Sequence, residues 1–163
     1  MLKFEDLTSA NWEKYKKFVA KSELIYERPL RESMAEYRKI ISREGSVCKV
    51  AMLGSKYVGN IVGYCPTLED ITEGELKGIR ENKEMILLTN VIINPEYQGR
   101  GYGARLVKDF IQSSKDAGYE KIAGYFRKNS SLHIFKKIGA RQKRTYKNWQ
   151  GGNEEYVLCE LLL

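Results

Sequence analysis

The sequence predicts one α/β (α+β) domain over residues 1–163. Helix-like and strand-like hydrophobic periods alternate along the whole chain. Between Met85 and Phe126 a nearly continuous apolar run, a glycine loop, an amphipathic helix and a second apolar run follow one another as a β-loop-α-β unit. With 163 residues and 42% of them hydrophobic, the chain has the size and the apolar surface to build one core.

After a short apolar start at Leu2 to Leu7, Thr8 or Ser9 caps a predicted helix to about Ser22, with Trp12, Tyr15, Phe18 and Val19 on one side. A second helix, Leu30 to about Arg43, aligns Met34, Tyr37, Ile40 and Ile41 and stops before Gly45. Val47 to Leu53 and Lys56 to Tyr64 form a hairpin around Gly54-Ser55. The acidic segment Pro66 to Glu84 reads as a loop or short helix over the surface. Its carboxylates, Glu69, Asp70, Glu73, Glu75 and Glu81, would suit the border of a site for a cationic substrate. Met85 to Ile93 is the central strand, apolar on both faces. The next helix has Ala104, Val107, Phe110, Ile111 and Ser114 on its inner face and ends at Gly118, before the strand Lys121 to Phe126. A helix from about Ser130 to Ile138 follows, and Ala140 to Trp149 and Glu154 to Leu163 pair around Gly151-Gly152-Asn153.

Met1 to Asp6 carry charges where a secretory leader needs an apolar run, and no run approaches the roughly 20 apolar residues of a membrane span. A soluble, cytoplasmic protein is expected. Cys48, Cys65 and Cys159 lack metal-site spacing and read as reduced, buried hydrophobes, so no metal is expected. The net charge of +7 favours an anionic partner. From Lys121 to Trp149 nine residues are basic and none acidic. This stretch is either a solvated face or a partner of a cofactor phosphate. Its interleaved Tyr125, Phe126, Tyr146 and Trp149 would also suit stacking on RNA, although nucleic acid ranks lower.

The loop Gln98-Gly99-Arg100-Gly101-Tyr102-Gly103 opens the helix after the central strand. A helix N-terminus presents free backbone N–H groups and a partial positive charge, and so attracts phosphate. Gly101 and Gly103 keep side chains away from the ligand, and Arg100 adds charge from the flank. Gly99 to Ala104 also fits G-x-G-x-x-[GA], but a nicotinamide site needs an acid about 20 residues on. That region reads Tyr125-Phe126-Arg127-Lys128 instead.

The run Ile93-Asn94-Pro95-Glu96-Tyr97-Gln98-Gly99-Arg100-Gly101-Tyr102-Gly103-Ala104 resembles the [QR]-x-x-G-x-[GA] signature of the GCN5-related N-acetyltransferase (GNAT) superfamily. Ser131 to Ala140 is similar to the family's later helix. The resemblance implies a mixed, mostly antiparallel central sheet of six to seven strands flanked by about four helices. It implies that Gln98, Gly99, Arg100, Gly101, Tyr102, Gly103 and Ala104 hold the pyrophosphate of acetyl-CoA. Val91, Ile92 and Ile93 would pair with its pantetheine arm, and Asn129, Phe135 and Lys137 would complete the cofactor site.

The implied reaction is acetyl transfer to a primary amine of a small molecule or protein by direct attack in a ternary complex, without a covalent enzyme intermediate. A general base and a general acid are the roles to fill. Phe135 stands where relatives carry a tyrosine acid, and Leu87 where some carry a glutamate base. Glu84, an acid of the Glu69 to Glu81 loop or a water chain remain as bases, and Tyr125 or Tyr146 as the acid. A non-catalytic acyl-CoA sensor is the alternative, and an RNA- or ribosome-associated protein a weaker one. A homodimer is left open.

Overall fold

The computed structural model describes all 163 residues. Its elements are β1 (Leu2–Asp6), α1 (Trp12–Ser22), α2 (Met34–Ile41), β2 (Val47–Leu53), β3 (Lys56–Tyr64), α3 (Leu68–Glu73), β4 (Met85–Ile93), α4 (Tyr102–Asp116), β5 (Lys121–Arg127), α5 (Ser130–Lys137), β6 (Arg141–Tyr146) and β7 (Tyr156–Leu162). The strands form one sheet in the order β1-β2-β3-β4-β5-β7-β6. Only β4 and β5 run parallel, because the crossover helix α4 joins them; every other pair is antiparallel.

The expected mixed sheet of six to seven strands is therefore present, with five α-helices in place of about four. Leu2 to Leu7, read only as an apolar start, contains the edge strand β1 paired with β2. The first helix starts at Trp12 with Asn11 as its cap residue, where the sequence suggested Thr8 or Ser9. Asn11 instead folds the entry turn, accepting from the Thr8 amide and donating to the Asp6 carbonyl. Phe18, assigned to the inner face, is 45% exposed and stacks on Tyr57. The second helix begins at Met34, capped by Ser33, and the residues before it form a separate 3-10 turn containing Pro29. The last strand pair is shorter than expected, since Trp149 lies in a turn beyond β6.

Each face of the sheet has its own core. On one side Leu106, Val107 and Phe110 of α4 and Leu132 and Phe135 of α5 pack over Ile61, Ile86, Ile122 and Val157. Gly63 admits the Phe110 ring there: a Cβ would lie 2.7 Å from its edge. On the other side Trp12, Tyr15 and Val19 of α1 and Tyr37, Ile40 and Ile41 of α2 cover Val50 and Val62. A smaller cluster seats the segment after α3, Leu76 and Ile79, on Met85, Leu87 and Leu158. Cys48 and Cys159 are buried and Cys65 is half-buried; all three are free thiols. No helix is long and apolar enough to cross a membrane.

Candidate functional site

The glycine loop has the backbone geometry of an anion cradle. Gly99 and Gly101 take left-handed backbone angles (φ 74° and 75°), which a side chain would resist, and a Cβ on either would point into open space. The amides of all six residues from Gly99 to Ala104 donate to nothing, whereas Tyr97 and Gln98 before them and Arg105 after them are bonded. Consecutive free N–H groups at the positive end of the 15-residue helix α4 create a pocket of positive potential. The Gln98 side chain braces the loop by donating to the Ile93 carbonyl at 2.9 Å. Arg100 is exposed and sits over the Tyr97 ring. Gly103 behaves differently from its neighbours: its Cβ would make ordinary contacts with Ile93 and Ile134, so it is not needed for open space.

Beside the cradle the sheet opens. β4 pairs with β5 only from Met85 to Leu88, against Lys121 to Gly124, and beyond Leu88 the two strands part. On its other edge β4 stays paired with β3 up to Ile93, with a bulge between Leu88 and Asn90. The Asn94 amide donates to Val58 of β3. Strand alternation therefore turns the Ile92 amide toward β3 and the amides of Val91 and Ile93 toward the gap. Of the three residues expected to pair with a pantetheine arm, Ile92 has its backbone committed to β3, and the other two present the free edge.

A cavity of about 450 Å³ runs through this parting. Its walls include Asn90 and Val91 of β4, Tyr125 to Arg127 of β5 and Asn129 at the start of α5. Across the sheet, Tyr26, Glu32, Tyr37, Tyr64, Asp70 and Trp149 extend it toward α2 and α3. Three cross-links hold its rim. Arg43, just after α2, makes two bonds to Asp70 of α3, at 2.6 and 2.7 Å, the Tyr125 hydroxyl donates to the Lys77 carbonyl at 2.6 Å, and Glu27 accepts from the Asn153 amide. The Arg43 guanidinium holds the Asp70 carboxyl far below the usual carboxylate range.

Under the cavity lies a buried polar network. Glu23, 3% exposed, accepts from the Asn90 side chain at 2.7 Å, the Glu32 amide at 2.8 Å and the Tyr37 hydroxyl. Asn90 in turn accepts from Asn60, which also bonds Tyr57 and Ser22. Burial pushes the Glu23 carboxyl up, while these three donors pull it back. Burial, together with the carboxylates of Glu23 and Glu36, also pushes Glu32 up. None of this was legible in the sequence. Glu23 and Asn90 are 67 positions apart, and the bulge in β4 is what turns Asn90 toward Glu23.

The structure separates the sequence candidates. Gln98 to Ala104, Val91, Ile93 and Asn129 border the cradle and the opening. Phe135 does not: it is 1% exposed in the core, its ring 4.6 Å from Phe126. Lys137 is exposed in the last turn of α5. Glu84 is at the wrong end of β4, its carbonyl bonded to the amides of Glu120 and Lys121. That is four residues, about 13 Å, before the strands part. Among the acidic-loop candidates, Asp70 is held as the partner of Arg43 and cannot take a proton near neutrality. Tyr125 lines the cavity, stacked on Trp149 at 4.3 Å, and burial keeps its phenol protonated. Tyr146 packs behind Tyr125 and outside the main cavity, its hydroxyl buried without a partner.

A family model described as the acetyltransferase (GNAT) family matches residues 4–140. No curated protein matches the chain. Among solved structures, a GNAT-family acetyltransferase from Streptococcus pneumoniae superposes with a TM-score of 0.77 at 13% identity, covering 100% of both chains. The ribosomal-protein-S18-alanine N-acetyltransferase of Escherichia coli gives 0.74 at 12% identity, covering 99% of this chain and 94% of that one. A GNAT-family acetyltransferase from Elizabethkingia anophelis, with acetyl-CoA bound, gives 0.67 at 18% identity over 99% and 98% of the two chains.

Proposed function

Given that the chain belongs to the acetyltransferase (GNAT) family, we propose that it transfers the acetyl group of acetyl-CoA to a primary amine by direct attack in a ternary complex. The observation that carries this reading is the run of six free amides from Gly99 to Ala104, set beside the unpaired edge of β4. Polyanion cradle and strand edge are what a pyrophosphate joined to an amide-bearing arm requires, and the residues present fit both.

The six loop amides would bind the pyrophosphate. The free amides of Val91 and Ile93 would pair with the arm, and one of them would donate to the acyl oxygen as negative charge develops on it. Such donors contribute roughly two to three orders of magnitude in other acyl-transfer enzymes. Acetyl-CoA supplies an activated thioester. Arriving from the α2 and α3 side of the parting, the amine would lose its proton to water in the cavity; of the sequence candidates for a base, Glu84 stands outside, Asp70 is committed to Arg43, and Glu73 lies at the exposed rim. Tyr125 is the acid this reading assigns to the departing sulfur, because it lines the cavity and its buried phenol keeps its proton.

Calorimetric titration with acetyl-CoA and with CoA tests the reading. Micromolar binding to the wild type, abolished by Gly101→Asp, is the expected outcome. No binding at millimolar cofactor would overturn it.

A further inference from the structure

Four carboxylates gather on the amine side of the parting: Glu32, Glu36 and Glu73 in the cavity wall and Glu23 beneath it. None of them forms an ion pair with any lysine, arginine or histidine. The cations that share this wall are otherwise engaged or outward. Arg43 is bound by Asp70, Arg127 lies 3.7 Å from Glu154, and Lys39 is exposed on α2. Arg31, whose charge acts on Glu23 without a direct bond, is exposed and donates to the Tyr26 carbonyl.

Glu23 is the telling member. Its two oxygens face three donors, the arrangement of an ionised carboxylate, yet it is buried without a counter-ion. A buried charge without a partner is costly, and a cation delivered to the adjacent cavity would offset that cost. The same wall is rich in aromatic faces that hold cations. Two of its rings already carry guanidinium groups, Tyr64 under Arg43 at 4.5 Å and Tyr26 under Arg127 at 5.0 Å. Tyr37 lines the cavity and donates its hydroxyl to Glu23. At about 450 Å³, with its rim tied by the Arg43–Asp70 and Tyr125–Lys77 bonds, the cavity is sized for a small molecule.

We propose that the acceptor is a small polycationic amine, of the diamine or polyamine class. One of its ammonium groups anchors at Glu32, over the buried Glu23, while its other amine attacks the thioester. This assignment rests on the acetyl-transfer reading above. In the transfer, the amide C–N bond forms as the thioester C–S bond breaks. The attacking amine's proton leaves to water and the thiol departs protonated, while the anchoring ammonium is unchanged.

Free-thiol release is measured with acetyl-CoA and three acceptors of matched length: 1,4-diaminobutane, n-butylamine and 4-aminobutanoate. The diamine is expected to exceed the monoamine at least tenfold in kcat/KM and the anionic analogue to be slowest. Glu32→Gln should remove most of the diamine's advantage, chiefly through KM, and lower kcat/KM for butylamine far less than for the diamine. Equal kcat/KM for diamine and monoamine, or an equal loss on every acceptor in Glu32→Gln, would overturn the assignment. Acetyl-CoA titration separates the two readings. Normal cofactor binding without diamine preference sinks only the acceptor class, whereas absent cofactor binding sinks the transfer reaction. If no acceptor turns over, calorimetric binding of 1,4-diaminobutane decides. Binding weakened tenfold in Glu32→Gln supports the cation site, and binding that is absent or indifferent to the substitution refutes it.

Discussion

Gly101→Ala and Gly118→Ala make a matched pair that isolates what the glycine loop does. Both glycines sit at an end of α4 in the left-handed region, at φ 75° and 89°, and a Cβ on either meets no atom within 4 Å. Each alanine should therefore carry the same backbone strain, about 1–2 kcal/mol. In a chain of this size that lowers Tm by roughly 2–4 °C per kcal/mol. Only Gly101 belongs to the run of free amides. If the loop relaxes to escape the strain, restoring it costs binding energy; if it does not, the new methyl occupies the open side of the cradle. Either way CoA binding should weaken by about 5–30-fold, the equivalent of that strain. Gly118→Ala should leave it unchanged. Thermal denaturation and calorimetric titration of both variants give the two readouts. Wild-type affinity in Gly101→Ala, or equal weakening in Gly118→Ala, would refute the reasoning.

Three further outcomes follow from the same geometry. Glu23→Ala strands three buried donors at about 1–3 kcal/mol each, so urea unfolding should show a loss of at least about 3 kcal/mol with an unchanged m value; a loss below 1 kcal/mol would deny the network its role. The Asp70 carboxyl is depressed in the folded protein, so its contribution is present above the ordinary carboxylate pKa and disappears as pH falls through the folded value. The stability difference between wild type and Asp70→Asn should therefore be constant from pH 7 to about pH 5 and shrink only in stronger acid. Tyr125→Phe deletes the hydroxyl bonded to Lys77 and should lower kcat at least tenfold with a smaller change in KM; an unchanged kcat would remove Tyr125 as the acid.

The local features of the chain were legible because they depend on neighbours in sequence. The apolar run of β4, the Gly54-Ser55 hairpin and the glycine loop all rest on propensity, periodicity or backbone permissiveness over a few residues. The signature at Gln98 to Ala104 accordingly pointed to the family before any contact was known. Phe18 and Phe135 show the limit of that reading. Periodicity put Phe18 inside, but α1 leaves it at the surface over Tyr57. Resemblance put Phe135 at the cofactor, but the packing of α5 on β5 presses it into the core against Phe126.

The rest was decided by tertiary structure, because it depends on distances between remote residues. Glu84 immediately precedes β4 in sequence, but the β4–β5 pairing puts it four residues before the strands part after Leu88. Glu23 and Glu32 carried no signal at all, lying in the connection between α1 and α2, Glu23 at the start of a single 3-10 turn. They become a feature only when the bulge in β4 turns Asn90 toward Glu23 and the cavity opens above them. Sequence order sets which strand and loop carry the run of free amides, since that is a property of contiguous backbone. Burial and charge pairing belong to the folded molecule, and they are what shape the acceptor side.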